Sequence, residues 1–96
     1  MPLDYSTIIA VWRKGKIIPR VDPNQWRKDA CGAWIAASAY GNRDSAYGWE
    51  IDHVNGNSSD DRFDNLQPLH WMNNVAKSDG ALVCVVTSEG NKNVRI

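Results

Sequence analysis

An acid and an imidazole stand side by side at Asp52-His53. Two asparagines follow, Asn65 twelve residues after His53 and Asn74 nine residues after Asn65. These side-chain types suit hydrolysis of a phosphodiester. Water must be deprotonated near neutral pH, and imidazole is the side chain tuned for that. Negative charge that develops on the phosphate and the leaving oxygen must be stabilised, which a divalent cation on oxygen ligands does well. His53 offers the base, and Asp52 and Asn74 offer hard oxygen ligands. Neighbours on a strand point to opposite faces. Asp52 and His53 therefore converge only where the strand ends or twists, and the Asn55-Gly56 loop permits that.

The elements that must position these residues are legible from pattern. Residues 49–54 (WEIDHV) alternate apolar and polar at period two. That predicts a strand with Trp49 and Ile51 on one face, Glu50 and Asp52 on the other. A polar loop over 55–61 follows, then a short extended piece, Leu66 to Leu69. Pro68 removes an amide donor and predicts an edge strand. His70 to Lys77 reads as a helix of about two turns, with Met72 and Ala76 sharing a face and Gly80 stopping it. Leu82 to Thr87 reads as a strand. Glu89-Gly90-Asn91 turns the chain so that Val94 to Ile96 pairs back. Upstream, Ser6 is placed to cap a helix through about Arg13. Lys16 to Pro19 reads as extended, and Asp22-Pro23 predicts an N-cap and first helical residue that carry Trp26 into a brief helix. Cys31-Gly32 makes a turn. Ala33 to Tyr40 stays open: its alanines favour helix, its length and position favour a strand into the Gly41-Asn42 turn.

With 96 residues the chain suits one compact domain, 1–96. Such a domain has a limited core, so five Trp (12, 26, 34, 49 and 71) are expected to supply much of it. The formal net charge is zero, but it is unevenly spread. Residues 1–43 hold seven Lys/Arg against three acids, net +4, and residues 44–96 hold four against eight, net −4. A basic half beside an acidic half suits a protein that grips a polyanion on one side and a cation on the other; chance distribution explains it equally. Cys31 and Cys84 belong to no C-x-x-C pair, which argues against a zinc knuckle. Reduced, buried thiols are the expectation, with a disulfide between the two left open. The start, Met1-Pro2-Leu3-Asp4, lacks the basic and apolar runs of a signal peptide, and no apolar stretch is long enough to span a membrane. The expected compartment is the cytoplasm.

The blocks WEIDHV (49–54), NLQPL (65–69) and NNVAK (73–77) together resemble the motif of the His-Asn-His (HNH) endonuclease family. The resemblance covers about 26 of the 96 residues within a core of 49–79, and more loosely 26–79, where Cys31-Gly32-Ala33-Trp34-Ile35 and Tyr47-Gly48-Trp49 look like small stand-alone bacterial members. It implies a ββα-metal core; with the short helices before it and the β-hairpin after it that the pattern predicts, the expected fold is α+β. It implies His53 as general base, Asp52 and Asn74 as ligands of one Mg²⁺-type ion (or Mn²⁺), and Asn65 as a brace for the loop. Lys77 would contact phosphate or helix carbonyls. Asn74 is preferred to Asn73 because Lys77 lies three residues after it. Many members bind a structural zinc through two C-x-x-C pairs. Cys31 here lacks its partner, and His70 and Asn73 stand at the helix start. No structural zinc is expected.

The implied partner is DNA, double-stranded, with Arg27, Lys28, Arg43 and Lys77 as candidate phosphate contacts; solvated surface charge is the plain alternative for the first three. His70 reads as a capping or packing residue. Asp60, Asp61 and Asp64 match no EF-hand pattern and read as a solvated loop. Two other functions remain: a non-catalytic nucleic-acid-binding module on the same fold, and a nuclease subunit of a larger assembly. Monomer and homodimer are both open.

Overall fold

The computed structural model describes residues 3–77 and 80–96. Positions 1 and 2, and positions 78 and 79 at the end of the expected core motif, lie outside the described residues. The protein is a small α+β fold with two α-helices and three short antiparallel strand pairs among those residues.

Helix α1 spans Tyr5–Trp12. Asp4, not Ser6, is its N-cap: the carboxylate accepts from Thr7 N at 2.8 Å and from Ser6 Oγ at 3.0 Å. Both residue types cap well, and Ser6 falls inside the first turn. The brief helix expected after Asp22-Pro23 is absent. Asp22 instead closes a turn, its side chain accepting from Asn24 N and its carbonyl from Gln25 N and Trp26 N. The chain then enters strand β1, Trp26–Lys28, which pairs with β2, Trp34–Ala36. Backbone pairing across the Asp29–Ala33 turn overrides the local helix signal. The open segment 33–40 is strand first and a 3-10 turn (Ala37–Ala39) second.

Strand β3, Trp49–His53, pairs with β4, Leu66–His70, in the register Asp52↔Gln67 and His53↔Leu66. Helix α2, Trp71–Ala76, follows β4 without a loop and packs on both strands. It ends at Lys77, before Gly80. Gly80 has another use: it runs so close to the loop that a Cβ would sit 2.8 Å from Asn55 O, and its φ is +79°. Gly48 is also demanded by close approach, since a Cβ there would lie 1.9 Å from Asn42 O. Strands β5, Val86–Glu89, and β6, Lys92–Arg95, form the C-terminal hairpin around Gly90-Asn91.

The core is Val11, Trp12, Ile35, Trp49 and Leu66, with Ile8, Ala37 and Ile51 against it. Trp12 and Trp49 meet at 5.3 Å between centroids, and Tyr40 packs edge-on to Trp49. Of the five Trp, 12, 34 and 49 are buried, while 26 and 71 are half-exposed. Cys31 and Cys84 form a disulfide, not the two thiols expected. A separation of 53 residues gave no hint of contact, yet the turn after β1 and the chain entering β5 bring the two Cα atoms to 5.5 Å.

Candidate active site

The end of β3, the loop after it and the end of α2 enclose a polar cleft of about 230 Å³ lined by Asp52, His53, Asn74 and Lys77, with Gly56, Ser58 and Gly80 at the loop side. The hairpin register brings Asp52 and His53 to the strand end. The immediate β4–α2 junction then carries Asn74 back over the same strand. Asp52 is 5% exposed. Its Oδ2 accepts from Gln67 Nε2 at 2.8 Å, and its Oδ1 lies 3.2 Å from Lys77 Nζ. A carboxylate oxygen offers two lone-pair sites, and among the described residues each has one partner.

His53 Nε2 lies 2.7 Å from Asp61 Oδ1. Asp61 is thus a ring partner, not only part of a solvated loop. Asp60 is bound as well, by a two-pronged contact from Arg62, which with the remaining hydrogen bonds holds its carboxyl far below the ordinary value. Asn65 is 7% exposed and joins the two ends of this loop. Its Oδ1 accepts from Asn55 N, and its Nδ2 donates to Asn55 Oδ1 and Asp60 O, all within 3.0 Å. Lys77 Nζ donates to His53 O and Val54 O at 2.6 and 3.0 Å, locking the helix end to the strand end. Its side chain is 6% exposed, and it holds carbonyls at the strand end, where phosphate or helix carbonyls were the expected contacts.

Asn74 Nδ2 donates to Glu50 Oε1 at 2.8 Å, which leaves the amide oxygen without a protein partner among the described residues. Glu50 also takes both prongs of Arg43 at 2.6 and 2.9 Å. The Arg43 hydrogen bond is the main force holding the Glu50 carboxyl below its ordinary value, against the opposing effect of burial. Glu50 lies outside the cleft lining and reaches the site through Asn74; it was missing from the expected set, although the period-two pattern had placed it on the face of Asp52. Asn73, one residue before Asn74, is fully buried and belongs elsewhere. Its Oδ1 accepts from Val85 N and Val86 N, and its Nδ2 donates to Val86 O and Asp29 Oδ2. His70 caps α2, as expected, through Nδ1 accepting from Met72 N.

The expected phosphate contacts divide. Arg27 is 6% exposed and turned inward, where it donates to Pro23 O, Arg13 O and Gly15 O and lies over the Trp12 ring. It is a structural cation, since a buried charge must satisfy its donors within reach. Arg43 is exposed but committed to Glu50. Lys28 is half-exposed, its ammonium 4.7 Å from the Trp34 ring centroid.

A hard cation prefers oxygen ligands and, for Mg²⁺, keeps several waters. The free lone pairs of Asp52 and the unpartnered Asn74 oxygen, both in one polar cleft, fit such an ion. Among the described residues no three His, Cys, Asp or Glu side chains cluster as a metal cage, and no helix is long and apolar enough to cross a membrane. No family model, curated protein or solved structure matches the chain.

Proposed function

We propose that the protein is a metal-dependent endonuclease that hydrolyses phosphodiester bonds of double-stranded DNA. Strands β3 and β4 and helix α2 serve as a ββα-metal core within one nuclease domain. The observation that carries this reading is the convergence of Asp52, His53 and Asn74 on one cleft, from positions 22 residues apart at most.

In this reading His53 is the general base. Asp61 accepts from Nε2–H and so fixes the tautomer, leaving the Nδ1 lone pair to take a proton from water. Asn65 keeps the loop that bears Asp60 and Asp61 folded against the strand end, and so holds the imidazole in place. Asp52 and Asn74 would hold Mg²⁺ or Mn²⁺. When bound, the ion would supply positive charge where the phosphate and leaving oxygen become more negative. Gln67 and Lys77 orient the Asp52 carboxylate, and Lys77 fastens α2 to the strand.

One observation favours a second reading, a binding module without catalysis. The Lys77 ammonium already neutralises Asp52 in part. The two readings part in one experiment: supercoiled plasmid is incubated with wild type and His53→Ala, in Mg²⁺ and in EDTA. The nuclease reading expects wild type to nick only with the ion, and His53→Ala to lose at least about 10²-fold in rate. Wild type that binds plasmid but leaves it intact with every divalent ion establishes the binding module instead.

A further inference from the structure

A second groove, about 430 Å³, opens beside the cleft and is lined by Lys14, Lys16 and Lys28, with Asp29, Gln67 and Pro68 among its walls. We propose that this groove is a docking track for the sugar-phosphate backbone of the duplex flanking the cut site. The proposal rests on the nuclease reading for the identity of its polyanion.

Charge is the first support. Among the described residues, none of the three lysines pairs with a carboxylate. Asp29 is the one acid in the wall and it faces away from solvent, 4% exposed. Its Oδ1 accepts from Cys31 N and Ala33 N, and its Oδ2 from His70 N and Asn73 Nδ2. The groove therefore presents three cations and an acid already fully occupied by N–H donors.

Placement is the second support. Lys16 and Lys28 exchange backbone hydrogen bonds in an antiparallel bridge, N to O at 2.8 and 3.0 Å in the two directions. Directly opposed residues of such a pair project to the same side, where like charges destabilise each other. A polyanion bound between them converts that repulsion into attraction. Among the described residues Lys14 Nζ meets neutral groups, donating to Phe63 O and Leu66 O and lying 4.3 Å from the Phe63 ring centroid. Leu66 is the cross-strand partner of His53, so Lys14 stands one strand away from the proposed base.

Continuity is the third. Gln67 lines this groove and donates to Asp52, which lines the cleft. The two depressions share a wall at that hydrogen-bonded pair. A backbone seated at the cleft and continued past Gln67 and Pro68 enters the groove that Lys14, Lys16 and Lys28 line. Neutral carbonyl contacts fix Lys14 and the Trp34 ring attracts the Lys28 ammonium at 4.7 Å, but neither contact cancels the charge, and among the described residues no carboxylate pairs with Lys14, Lys16 or Lys28.

The test is a fluorescence-anisotropy titration of a labelled duplex about two turns long, in EDTA so that no cutting occurs, over a series of salt concentrations. It compares wild type, Lys16→Gln/Lys28→Gln, and a control of equal charge change on the C-terminal hairpin, Lys92→Gln/Arg95→Gln. The groove variant should bind every duplex sequence more weakly, with a log–log salt slope shallower by about 2. The hairpin control should keep the wild-type slope, and far-UV circular dichroism should show all three proteins folded alike. An unchanged slope in the groove variant overturns the proposal, as does an equal loss in the control or a wild type with no salt-dependent duplex binding. Failure of the nuclease reading registers separately, as plasmid left intact by a wild type that still binds through the groove.

Discussion

Asn73 and Asn74 are neighbours on α2 and serve two regions built on opposite principles. Around Asn73 every polar group is paired. Asp29, Asn73, the His70 amide and the amides of Val85 and Val86 form a closed network, and the Cys31–Cys84 disulfide ties the same two chain segments. Around Asn74 the groups are oriented but not used up. Among the described residues the Asn74 amide oxygen has no protein partner, each Asp52 oxygen has one, and His53 uses one ring nitrogen. A closed network holds a fold because each buried group would otherwise lose its solvation. An open set holds a fold less well but leaves capacity for water, an ion and a substrate. The difference between one asparagine and the next is the turn of the helix: one side faces β5 and the other faces β3.

The largest effect should come from opening the clamp covalently. A loop of 53 residues closed by a disulfide restricts the unfolded chain by about 4 kcal/mol in the chain-entropy picture. Dithiothreitol should lower the urea midpoint accordingly, with the proposed active-site cleft intact as long as the protein stays folded. A midpoint unmoved by reduction would show that the clamp does not need the cross-link.

Asn73→Ala comes next. It strips partners from Val85 N, Val86 N, Val86 O and Asp29 Oδ2 at once, and should cost at least about 3 kcal/mol of stability. Asn74→Ala removes one donor from a Glu50 that Arg43 still holds, so its cost should stay below about 1 kcal/mol. Its damage should fall on Mg²⁺-dependent nicking. Denaturant melts and plasmid assays on the pair would decide it; a reversed order of stabilities would mean the two asparagines have been assigned to the wrong regions.

Metal removal sharpens the same contrast. EDTA should stop nicking while leaving circular dichroism and the melting temperature unchanged, because the clamp is made of hydrogen bonds and a disulfide. Loss of structure on chelation would reveal a structural metal inside the described fold.

The smallest effect concerns Glu50, which holds Asn74. The folded-state value of Glu50 is depressed, so its stabilisation is fully present above its ordinary value of 4.5 and is lost as pH falls through the lower, folded value. The stability difference between wild type and Glu50→Gln should therefore be largest near neutrality and shrink in acid below that point. A difference that stays constant across that window would show that Arg43 does not act on Glu50 in solution.

Much of the cleft is written locally. Period-two alternation in Trp49–His53 marks a strand and sets Glu50 on the face of Asp52. Turn chemistry at Gly90-Asn91 marks the last hairpin, and the Met72/Ala76 face marks the helix that carries Asn74, whereas the bracing role of Asn65 was implied only by the resemblance to the His-Asn-His motif. The expected helix after Pro23 failed because proline and an N-cap describe a start, whereas pairing of Trp26–Lys28 with Trp34–Ala36 depends on what comes next. Arg27 was assigned outward because an isolated arginine gives no sign of three carbonyls waiting inside the fold. Asp61 was read as a solvated loop acid because nothing eight residues after His53 signals that the loop returns.

What the sequence determines by itself is the periodicity of its elements and the kinds of side chain carried at the ends of β3 and α2. Those follow from backbone sterics and nearest-neighbour chemistry, which act within a few residues. The tertiary structure decided which asparagine is sealed and which is open, that Asp29 reaches 44 residues ahead to Asn73, that Cys31 meets Cys84, and that Lys16 stands against Lys28. Those are long-range contacts, and each depends on packing free energy summed over the whole core, which no local segment contains.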